Sequence, residues 1–575
     1  MKVTVAKTAG FCMGVRRAVE MAFDAANATS SPICTYGPLI HNPQVLSLLE
    51  EKGIFVISEI PETAEGLVII RAHGIPPGER DALAESGFEV IDATCPRVVR
   101  VQSIISRHAR QGYAPIIVGD REHPEVVGLL GYAGENGYVV ESMEALESLP
   151  DFEKAIIVTQ TTQNAAFFEK VSRWARQNHP DYKIFNTICD STEKRQAEIK
   201  ALAADVDAVV VVGGYSSGNT RRLAEIAAEE KKTALHVETA ADVDIENLTD
   251  ARRIGITAGA STPNWIIKQV YQDLEARLAG GRGVLYRFAY TTMRFLVNSN
   301  LYLAVGAGSL TLACMWLLAL PIDVVPVLVA ALYILAMHTA NQMIERQSDR
   351  YNDPYRAEFY QKNRHSLTAL ALFASTGALA ASWWMGPLFF VIVLCMSVLG
   401  LVYNMEAEGK NGKRKRTGLK SLPGSKTVLT ALAWGIVAVL LPAMDANGYI
   451  SGADVLVFAW AAAMVLVRTA YFDIMDMQGS RIMGRGTIPI LFGEKRTIRL
   501  LKAILAAMAA ALPMGWAFGI LEAPGMLLVI CPFLMGLFLH SYERKMMFST
   551  IHRGFVMESF FLLAGVIAGI GMLLL

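Results

Sequence analysis

The chain has 575 residues, which is too long for one hydrophobic core and favours about three to four domains. Its 53 Lys and Arg residues balance 53 Asp and Glu residues, so charge gives no indication of a nucleic-acid partner. Only 18% of the residues are charged and 53% are hydrophobic, which excludes a disordered protein and disfavours an entirely soluble one. Seven cysteines cannot all pair, so a reducing compartment is expected, and the N-terminal segment does not have the pattern of a signal peptide.

Up to about residue 285, short β-branched runs alternate with amphipathic helices. Runs such as GLVIIRAHG, APIIVGD and DAVVVVGG are apolar and stop at Gly, His or Thr. This pattern is typical of buried parallel strands whose carboxyl ends carry functional loops. We therefore predict an α/β domain over residues 1–285. The glycines of LAGGRGVLYR, near 278–287, mark its end.

From about residue 295 the composition becomes that of a membrane protein. Each of nine apolar stretches approaches the ~20 residues that a spanning helix needs. The stretches are 296–320, 323–344, 366–383, 386–404, 426–444, 453–475, 498–518, 525–543 and 554–575. We predict an all-α polytopic bundle of nine transmembrane helices over residues 290–575.

Positive charge between these stretches is asymmetric. The loops after the second, fourth, sixth and eighth stretches carry Lys and Arg, as in KNGKRKRTGLK, whereas the alternate loops carry none. The positive-inside rule then places the basic loops and the N-terminal domain in the cytoplasm, on the inner (plasma) membrane of the cell. The alternative, a soluble helical bundle, does not account for this alternation.

Three cysteines stand in similar settings, in GFCMGVRRAVE, DATCPRVVRVQ and NTICDSTEKRQAE. Cys12, Cys95 and Cys189 each follow an extended run and open a helix, where a thiol is biased toward the metal-binding thiolate. Their wide spacing excludes a local zinc knuckle and suggests three pseudo-repeated α/β units around one centre. On spacing alone, three inert buried cysteines remain the alternative.

Polar side chains follow several of the predicted strands in the same half. Histidines and small hydroxyl or amide residues at such positions are donors suited to a diphosphate. These candidates are His41, His73, His123, Thr161, Ser217, Asn219 and Ser261. Any one of them could be an ordinary loop residue, but their occurrence together with the three cysteines favours a functional site.

The order of these motifs closely resembles the 4-hydroxy-3-methylbut-2-enyl diphosphate reductase family, over residues 1 to about 280. The resemblance implies a trefoil of three α/β units around a 4Fe-4S cluster that Cys12, Cys95 and Cys189 ligate. Three ligands leave one iron open as a Lewis acid for the substrate hydroxyl. Two positions depart from the family pattern: Gly218 stands where serine is frequent, and Gln102 where histidine is frequent.

The same resemblance implies roles for the polar residues. The histidines, Ser217, Asn219 and Ser261 would hold the diphosphate, while Glu125, helped by Thr161, would deliver the proton that lets the hydroxyl leave as water. Two electrons, from a donor such as ferredoxin or flavodoxin, would then give isopentenyl and dimethylallyl diphosphates.

Two acidic motifs end apolar stretches in the membrane half. Asn341, Glu345 and Asp349 stand at i, i+4 and i+8 and so share a helical face, and Asp473 and Asp476 end the sixth stretch. Two oxygen-rich clusters at one membrane depth can hold Mg²⁺ that bridges a diphosphate. The alternative is that these are solvated helix ends beside basic loops.

These motifs resemble those of the UbiA superfamily of intramembrane prenyltransferases, over about 290–575. The resemblance implies Mg²⁺-dependent ionisation of a prenyl diphosphate and attack by a prenyl acceptor. Glu345 replaces a usual aspartate conservatively. Gln342 and Ser480 replace others without charge, which puts the metal stoichiometry in doubt.

We therefore expect a bifunctional isoprenoid enzyme that binds small-molecule diphosphates, an electron donor and the lipid bilayer, but no nucleic acid. One rival keeps the reductase and makes the membrane half a non-catalytic anchor or lipid-binding module. Another makes the cysteine half a redox sensor or electron carrier. The sequence leaves open the prenyl length, the unknown prenyl acceptor, the electron donor and the oligomeric state.

Overall fold

The computed structural model describes residues 2–574 except 231–232, 249–250, 280–283, 345–350, 405–421, 522 and 544–549. The chain divides into two compact units, Met1–Leu278 and Ala279–Leu575.

The described part of the first unit contains twelve strands in three four-stranded parallel sheets. The strands are β1 (Lys2–Val5), β2 (Ile33–Tyr36), β3 (Ile54–Ile57), β4 (Leu67–Ile70), β5 (Glu89–Asp92), β6 (Ala114–Val118), β7 (Tyr138–Val140), β8 (Ala155–Thr159), β9 (Lys183–Ile184), β10 (Ala208–Val212), β11 (Thr233–Val237) and β12 (Arg253–Ala258). The inner strands β4, β6, β8 and β10 are buried along their whole length, which explains their uninterrupted apolar sequences. The prediction of an α/β fold with three units is confirmed.

Helices follow most of these strands and cover the sheets. They are α1 (Met13–Ala28), α2 (Pro43–Glu51), α3 (Pro77–Glu85), α4 (Pro96–Ala109), α5 (Pro124–Leu130), α6 (Met143–Glu147), α7 (Ala165–Asn178), α8 (Asp190–Asp205), α9 (Gly218–Glu229) and α10 (Asn264–Ala279). Proline stands in the first turn of four of them, α2 to α5, where its missing N–H costs nothing.

The three sheets repeat one strand order. It runs β3-β2-β4-β5 in the second sheet and β7-β6-β8-β9 in the third. The first sheet, β11-β10-β12-β1, has the same order if β1 counts as its last strand. β1 pairs with β12 in parallel, with Val5 opposite Ile256, so the two ends of the unit close one sheet. The pseudo-repeat is therefore circularly permuted along the chain.

The second unit is helical. Its helices in the described residues are α11 (Val284–Asn298), α12 (Leu301–Leu317), α13 (Val324–Ile344), α14 (Pro354–Lys362), α15 (Arg364–Met385), α16 (Pro387–Asn404), α17 (Ser425–Gly435), α18 (Leu441–Asn447), α19 (Gly452–Met475), α20 (Met477–Ile482), α21 (Ile488–Phe492), α22 (Glu494–Ala517), α23 (Ile530–Glu543) and α24 (Thr550–Leu574). A π-helical turn, Ile436–Leu440, joins α17 to α18. Trp434, Trp460 and Phe561 lie in the bundle core, whereas Phe373 and Trp384 of α15 are 71% and 84% exposed, as lipid-facing side chains are.

Seven helices in the described residues are long and apolar enough to cross a membrane, or eight if a bent pair counts as one span. The nine predicted stretches are helical, but two of them do not form a single long helix. The first is broken between α11 and α12 by 71°, where Asn300 has a left-handed φ of 61°. The fourth is the shorter apolar helix Pro387–Tyr403, which begins after Gly386. The chain is thus a multi-pass membrane protein with seven to eight spans by length and composition.

Candidate active site

Each of the three predicted ligand cysteines lies at the N-cap of a helix that follows an outer strand of its sheet. Cys12 precedes α1, Cys95 precedes α4 and Cys189 precedes α8. In all three, the backbone N–H donates to a carbonyl in the loop after the neighbouring strand. These bonds run from Cys12 to Ala260 (3.0 Å), from Cys95 to Ala72 (2.9 Å) and from Cys189 to Thr161 (2.9 Å). Equivalent positions in three sheets therefore present the cysteines in equivalent ways.

The cysteine helices approach one another closely. A Cβ atom on Gly14, in the first turn of α1, would lie 2.4 Å from Cys95 Sγ, so only glycine permits this packing. The charges of Cys12 and Cys189 also act on the Cys95 thiol. None of the three forms a disulfide in the described structure. Three free thiols that converge in this way fit an iron–sulfur cluster with one iron position left open.

The predicted bias toward thiolate is opposed at two of these positions. Burial raises the pKa of Cys95 and of Cys189, and backbone N–H groups of the following helical turns lower it only in part. At Cys12, the sulfur accepts a capping hydrogen bond from the N–H of Val15 at 3.4 Å. Deprotonation of these two partly buried thiols would therefore be coupled to metal binding.

The predicted diphosphate residues also occupy equivalent loops. His41, His123 and Ser217 follow the second strand in the order of each sheet, which are β2, β6 and β10. Residues His73, Thr161 and Ser261 follow the third strands β4, β8 and β12. Because the carboxyl ends of parallel strands share one edge of a sheet, these side chains lie on the same side of each sheet as the cysteines.

Three of these side chains form a histidine cluster. The ring centroids of His41 and His73 are 4.7 Å apart, and those of His123 lie 5.6 and 5.4 Å from them. His41 Nε2, His73 Nδ1 and Asn219 Nδ2 are buried and have no hydrogen-bond partner among the described residues. Buried polar atoms without partners are rare, so they indicate a site for a polar ligand.

Burial controls the charge of this cluster. It lowers the pKa of His41, lowers that of His73 well below its usual value, and lowers that of His123 to about 4. Neighbouring rings add to the lowering at His73 and His123, whereas Arg71 and Arg221 add to it at His41. Without a ligand the three imidazoles are therefore neutral at pH 7.

The hydroxyl groups of Ser217 and Ser261 join the first sheet to this cluster. Ser261 Oγ donates to the carbonyl of His41 at 3.0 Å and lies 3.3 Å from Ser217 Oγ. Ser217 is the N-cap of α9, and Asn219 lies in the first turn of the same helix. The structure thus brings the predicted polar residues of the first and second sheets together.

Glu125 is a buried carboxyl group beside the cluster. Its backbone N–H donates to His123 Nδ1 at 3.1 Å, while its side chain accepts two hydrogen bonds from Thr161. Burial raises the pKa of Glu125 to about 7, even though the bonds from Thr161 lower it. A carboxyl group in this state can donate a proton near neutral pH.

Sequence reasoning missed two supporting arginines. Arg195 of α8 is buried and donates to the carbonyl of Ala258 at 2.9 Å and of Gly10 at 2.5 Å, which joins the segment before Cys12 to the last residue of β12. Arg222 of α9 pairs with Asp120 at 3.1 Å, across two sheets. Both arginines lie on predicted helices next to the motifs, and this position in the sequence could have identified them.

Gln102, one of the two residues that depart from the family pattern, lies close to the histidine cluster. A Cβ on Gly74, whose φ is +75°, would lie 2.6 Å from Gln102 Nε2. Gln102 is buried on α4, so it packs against the residue that follows His73.

The membrane motifs are described in part. Asp473, in the last turn of α19, accepts a hydrogen bond from Thr427 Oγ1 of α17 at 2.6 Å, and Asp476 is the N-cap of α20. Asn341 lies in the last turn of α13. Glu345 and Asp349 lie outside the described residues. The oxygen donors at Asn341, Asp473 and Asp476 have the chemistry that Mg²⁺ prefers.

Sequence reasoning also missed a polar hub at the break between α11 and α12. The side-chain amide nitrogen of Asn300 lies within hydrogen-bonding distance of Thr339 (3.2 Å), Gln342 (3.1 Å) and Tyr360 (2.9 Å). Its oxygen accepts from Arg356 at 3.1 Å. Gln342 also accepts from the Tyr360 hydroxyl. The uncharged Gln342 therefore hydrogen-bonds to neutral side chains, and Arg356 joins the network through the Asn300 oxygen.

Comparisons with known proteins divide the chain in the same way. Residues 3–275 match the LytB protein family, and residues 300–546 match the UbiA prenyltransferase family. The 4-hydroxy-3-methylbut-2-enyl diphosphate reductase of Geobacter sulfurreducens is 42% identical over 275 residues, which are 48% of this chain and 97% of that protein. The reductase of Aquifex aeolicus is 44% identical over 281 residues, 48% of this chain and 96% of that protein. A UbiA homolog from Aeropyrum pernix K1 aligns with a TM-score of 0.37 and 17% identity over 47% of this chain and 97% of its own.

Proposed function

Because the chain belongs to the LytB family over residues 3–275 and has a UbiA prenyltransferase domain over residues 300–546, we propose a bifunctional isoprenoid enzyme. Its first domain, residues 1–285, reduces 4-hydroxy-3-methylbut-2-enyl diphosphate to isopentenyl and dimethylallyl diphosphates, as in the methylerythritol phosphate pathway. Its second domain, residues 290–575, transfers a prenyl group in the membrane. The observation that carries the first activity is the convergence of three helix-capping cysteines beside a buried acid and three neutral histidines.

Cys12, Cys95 and Cys189 would hold a 4Fe-4S cluster. When bound, the cluster supplies electrons and an open Lewis-acid position for the substrate hydroxyl. The electrons come from a carrier such as a ferredoxin or a flavodoxin. A simple redox sensor would not need the unpartnered polar atoms of His41 and His73 that stand ready for an anion.

The diphosphate is bound by the histidine cluster together with Ser217, Asn219 and Ser261. His41 and His73 offer ring nitrogens without partners, and Asn219 offers an amide N–H. The serine hydroxyls already lie within hydrogen-bonding distance of one another and can turn toward a phosphate oxygen. The negative charge of the diphosphate favours protonation of the imidazoles that surround it.

Glu125 provides the proton for the departing hydroxyl. Its raised pKa keeps a large fraction of the carboxyl protonated near pH 7. Thr161 orients the carboxyl group, because it contacts both oxygens. Burial of Glu125 and Thr161 also excludes water from competing for the proton.

The test uses the full chain purified without oxygen. We expect the absorption and electron paramagnetic resonance of a 4Fe-4S cluster, and turnover of 4-hydroxy-3-methylbut-2-enyl diphosphate with reduced methyl viologen. Cys12→Ser, Cys95→Ser and Cys189→Ser should each abolish turnover. Cys34→Ser is the control, because Cys34 lies within β2 and its thiol donates to the Leu67 carbonyl at 3.6 Å. If Cys34→Ser abolished turnover while the other three variants kept it, the ligand assignment would be refuted.

For the membrane domain, we propose that Asn341, Asp473 and Asp476 bind Mg²⁺ and a prenyl diphosphate together with Glu345 and Asp349. Without a cation, these carboxylates and a diphosphate would repel one another, so binding should require Mg²⁺. The acceptor is unknown. The alternative, a non-catalytic anchor, predicts no such requirement.

Prenyl diphosphate binding in nanodiscs, with and without a chelator, separates transferase from anchor. Asp476→Asn and Asp349→Asn should weaken binding and eliminate transfer without affecting insertion. Ser480→Asp restores the charge that is usual in the family and should maintain or strengthen metal binding. Binding that ignores both the chelator and Asp476→Asn would favour the anchor.

We further propose nine spans, with the bent pair α11–α12 and the short helix α16 each crossing the bilayer. The basic loops and the reductase domain then face the cytoplasm, with the protein in the inner (plasma) membrane. Cysteine labelling of loop positions in intact cells tests this orientation. Labelling of the basic loops from outside would contradict it.

A further inference from the structure

The outer face of α4 carries a stripe of arginines. Arg100, Ser103, Arg107 and Arg110 stand at i, i+3, i+7 and i+10, so they share one helical face, and all four are exposed. The stripe is about 15 Å long at the rise of an α-helix. No acidic residue occurs in α4, Pro96–Ala109. The charge that α4 itself contributes to this face is therefore positive.

No ion pair with a described residue neutralises this positive charge. None of Arg100, Arg107 and Arg110 forms an ion pair in the part of the chain that the structure describes. Nearby arginines do: Arg97 pairs with Asp190 at 2.6 Å, and Arg80 pairs with Asp92 at 3.2 Å. Three unpaired like charges on one helix repel one another, and they create a surface potential that attracts an anionic partner.

Two exposed apolar side chains lie close to the cysteines in the sequence, Val99 on α4 and Met13 at the start of α1. Met13, 63% exposed, directly follows Cys12, and Val99, 42% exposed, donates its N–H to the carbonyl of Cys95 at 3.0 Å. The packing of Gly14 against Cys95 places these two helix starts side by side. This apolar pair thus marks the surface nearest to two of the three thiols.

A cleft follows α4 away from the cysteines. It has a volume of about 510 Å³, and its lining includes Val99 with Ser103, Arg107 and Arg110 of the stripe. Tyr132 and the ion pair of Arg80 with Asp92 also line it. The face is therefore concave as well as basic, with an apolar part at one end. Protein interfaces combine these features, whereas surface charge alone would need no apolar part.

We propose that the α4 face, made of Met13, Val99, Arg100, Ser103, Arg107 and Arg110, docks an acidic electron-carrier protein. The proposal rests on the reductase function argued above. Each turnover takes up two electrons and two protons: the carbon–oxygen bond to the hydroxyl breaks, water leaves, and a carbon–hydrogen bond forms. The carrier gives up one electron in each of two encounters and is itself oxidised. Since electron transfer needs proximity, a docking face beside the cysteines serves this step.

Anionic lipid headgroups could also bind arginines, but the observations favour the carrier. Binding to lipid headgroups does not require that the basic face lie near the thiols. The continuity of the stripe with Met13 and Val99 is what a protein that delivers electrons requires.

The test uses the full chain, loaded with its cluster, in phosphatidylcholine nanodiscs, with an acidic ferredoxin as the probe. In the variant Arg100→Gln/Arg107→Gln/Arg110→Gln, the Kd for ferredoxin at low salt should rise by about tenfold or more. The salt dependence of the Kd should become shallower, because fewer charges are paired in the complex. Turnover with reduced methyl viologen should stay as in the wild type.

The matched control is Lys170→Gln/Arg173→Gln/Arg176→Gln, the same loss of charge on exposed positions of α7. It should leave the Kd for ferredoxin unchanged. A wild-type Kd in the α4 variant, with normal viologen turnover, would overturn the docking face and leave the reductase intact. Absence of viologen turnover in the wild type would instead overturn the reductase function.

Hydrogen exchange of α4 distinguishes the carrier from lipid. Ferredoxin should protect Pro96–Ala109 in phosphatidylcholine nanodiscs. Protection that arises only when phosphatidylglycerol replaces part of the lipid, with a Kd for ferredoxin that ignores the three substitutions, would assign the face to the membrane and overturn the proposal.

Discussion

Thr161 contacts both oxygens of Glu125: its backbone N–H donates to Oε1 at 2.6 Å, and its hydroxyl donates to Oε2 at 2.9 Å. Both bonds favour the carboxylate, while burial favours the neutral acid, and burial has the larger effect because the pKa lies at about 7. Thr161 therefore sets how far the acid is shifted as well as where it points.

The first prediction concerns pH. As a proton donor, Glu125 must be protonated, so turnover should fall as the pH rises through about 7. Thr161→Val removes the hydroxyl bond that favours the carboxylate, so the pKa of Glu125 should rise and the alkaline limb of the turnover profile should move to higher pH. Glu125→Gln should lower turnover by about 100-fold or more at every pH, with the cluster formed.

The control for this prediction is Thr162→Val. The Thr162 hydroxyl accepts a hydrogen bond from Gln160 at 3.1 Å and is not among the partners of Glu125. Its pH profile should match that of the wild type. An alkaline limb that stays in place or moves downward in Thr161→Val would remove Glu125 from proton delivery.

The second prediction is that diphosphate binding is coupled to proton uptake by the histidine cluster. Burial holds the pKa of His123 at about 4 and keeps His41 and His73 neutral as well, and a bound anion raises these values. Binding should therefore strengthen as the pH falls from about 8 toward 6. Calorimetry of pyrophosphate binding in buffers of different ionisation enthalpy measures the uptake.

His123→Gln should reduce this uptake by up to about one proton relative to the wild type. His236→Gln is the matched control, because His236 lies in β11 and contacts the Gly213 carbonyl at 2.9 Å, apart from the cluster. Equal uptake in the wild type and in His123→Gln would show that the cluster remains neutral in the complex.

The third prediction concerns the hub at Asn300. In Asn300→Gly, glycine adopts the φ of 61° without strain, but the side-chain amide is lost. Thr339, Gln342 and Tyr360 then lose a hydrogen-bond partner. We expect the free energy of unfolding to fall by about 2 kcal/mol or more, because buried polar groups lose their hydrogen-bond partner. Thermal unfolding in detergent measures it.

Asn300→Asp separates the effect of the side-chain hydrogen bonds from that of the backbone conformation in the same experiment. It keeps the acceptor for Arg356, and the Tyr360 hydroxyl can donate to it, so the loss should be smaller than in Asn300→Gly. Wild-type stability in Asn300→Gly would mean that the break between α11 and α12 depends only on backbone conformation.

The fourth prediction concerns an ion pair inside the membrane unit. Arg468 of α19 and Glu558 of α24 are both buried, and Arg468 Nε donates to both carboxylate oxygens of Glu558 at 2.8 and 2.9 Å. Glu558→Gln leaves the guanidinium without its countercharge and should destabilise the protein by about 3–5 kcal/mol. Unfolding by dodecyl sulfate in mixed micelles reports the change.

The double variant Arg468→Leu/Glu558→Leu removes both charges and should cost less than Glu558→Gln alone. A double variant that is less stable than either single variant would show that the pair stabilises the bundle by more than charge compensation.

Local patterns predicted the elements well because burial determines them directly. The apolar run of β10 and the helices that open at Cys12, Cys95 and Cys189 follow from hydrophobicity and capping. The pairing of β1 with β12 could not be predicted, since Lys2 lies opposite Arg253 and no local pattern links such distant segments. The sequence therefore indicated three units without showing that one of them is split.

The membrane half shows a similar limit. An apolar run indicates that a segment is helical but not whether its backbone is continuous. The sequence therefore predicts one span where the structure has a break at Asn300. Likewise, the helix-start positions of Cys95 and Cys189 indicated thiolate, whereas the depth at which they are buried became known only from the tertiary structure.

The pairing of β1 with β12 also determines when the protein can acquire its cysteine site during synthesis. The ribosome releases β1 and Cys12 first, but the strand that holds them, with Ala260 just beyond it, is made last in the unit. In the nascent chain, β1 therefore has no partner strand until the third cysteine and β12 have both emerged. The membrane helices come after β12 in the chain, so the last strand of the α/β unit is made before them.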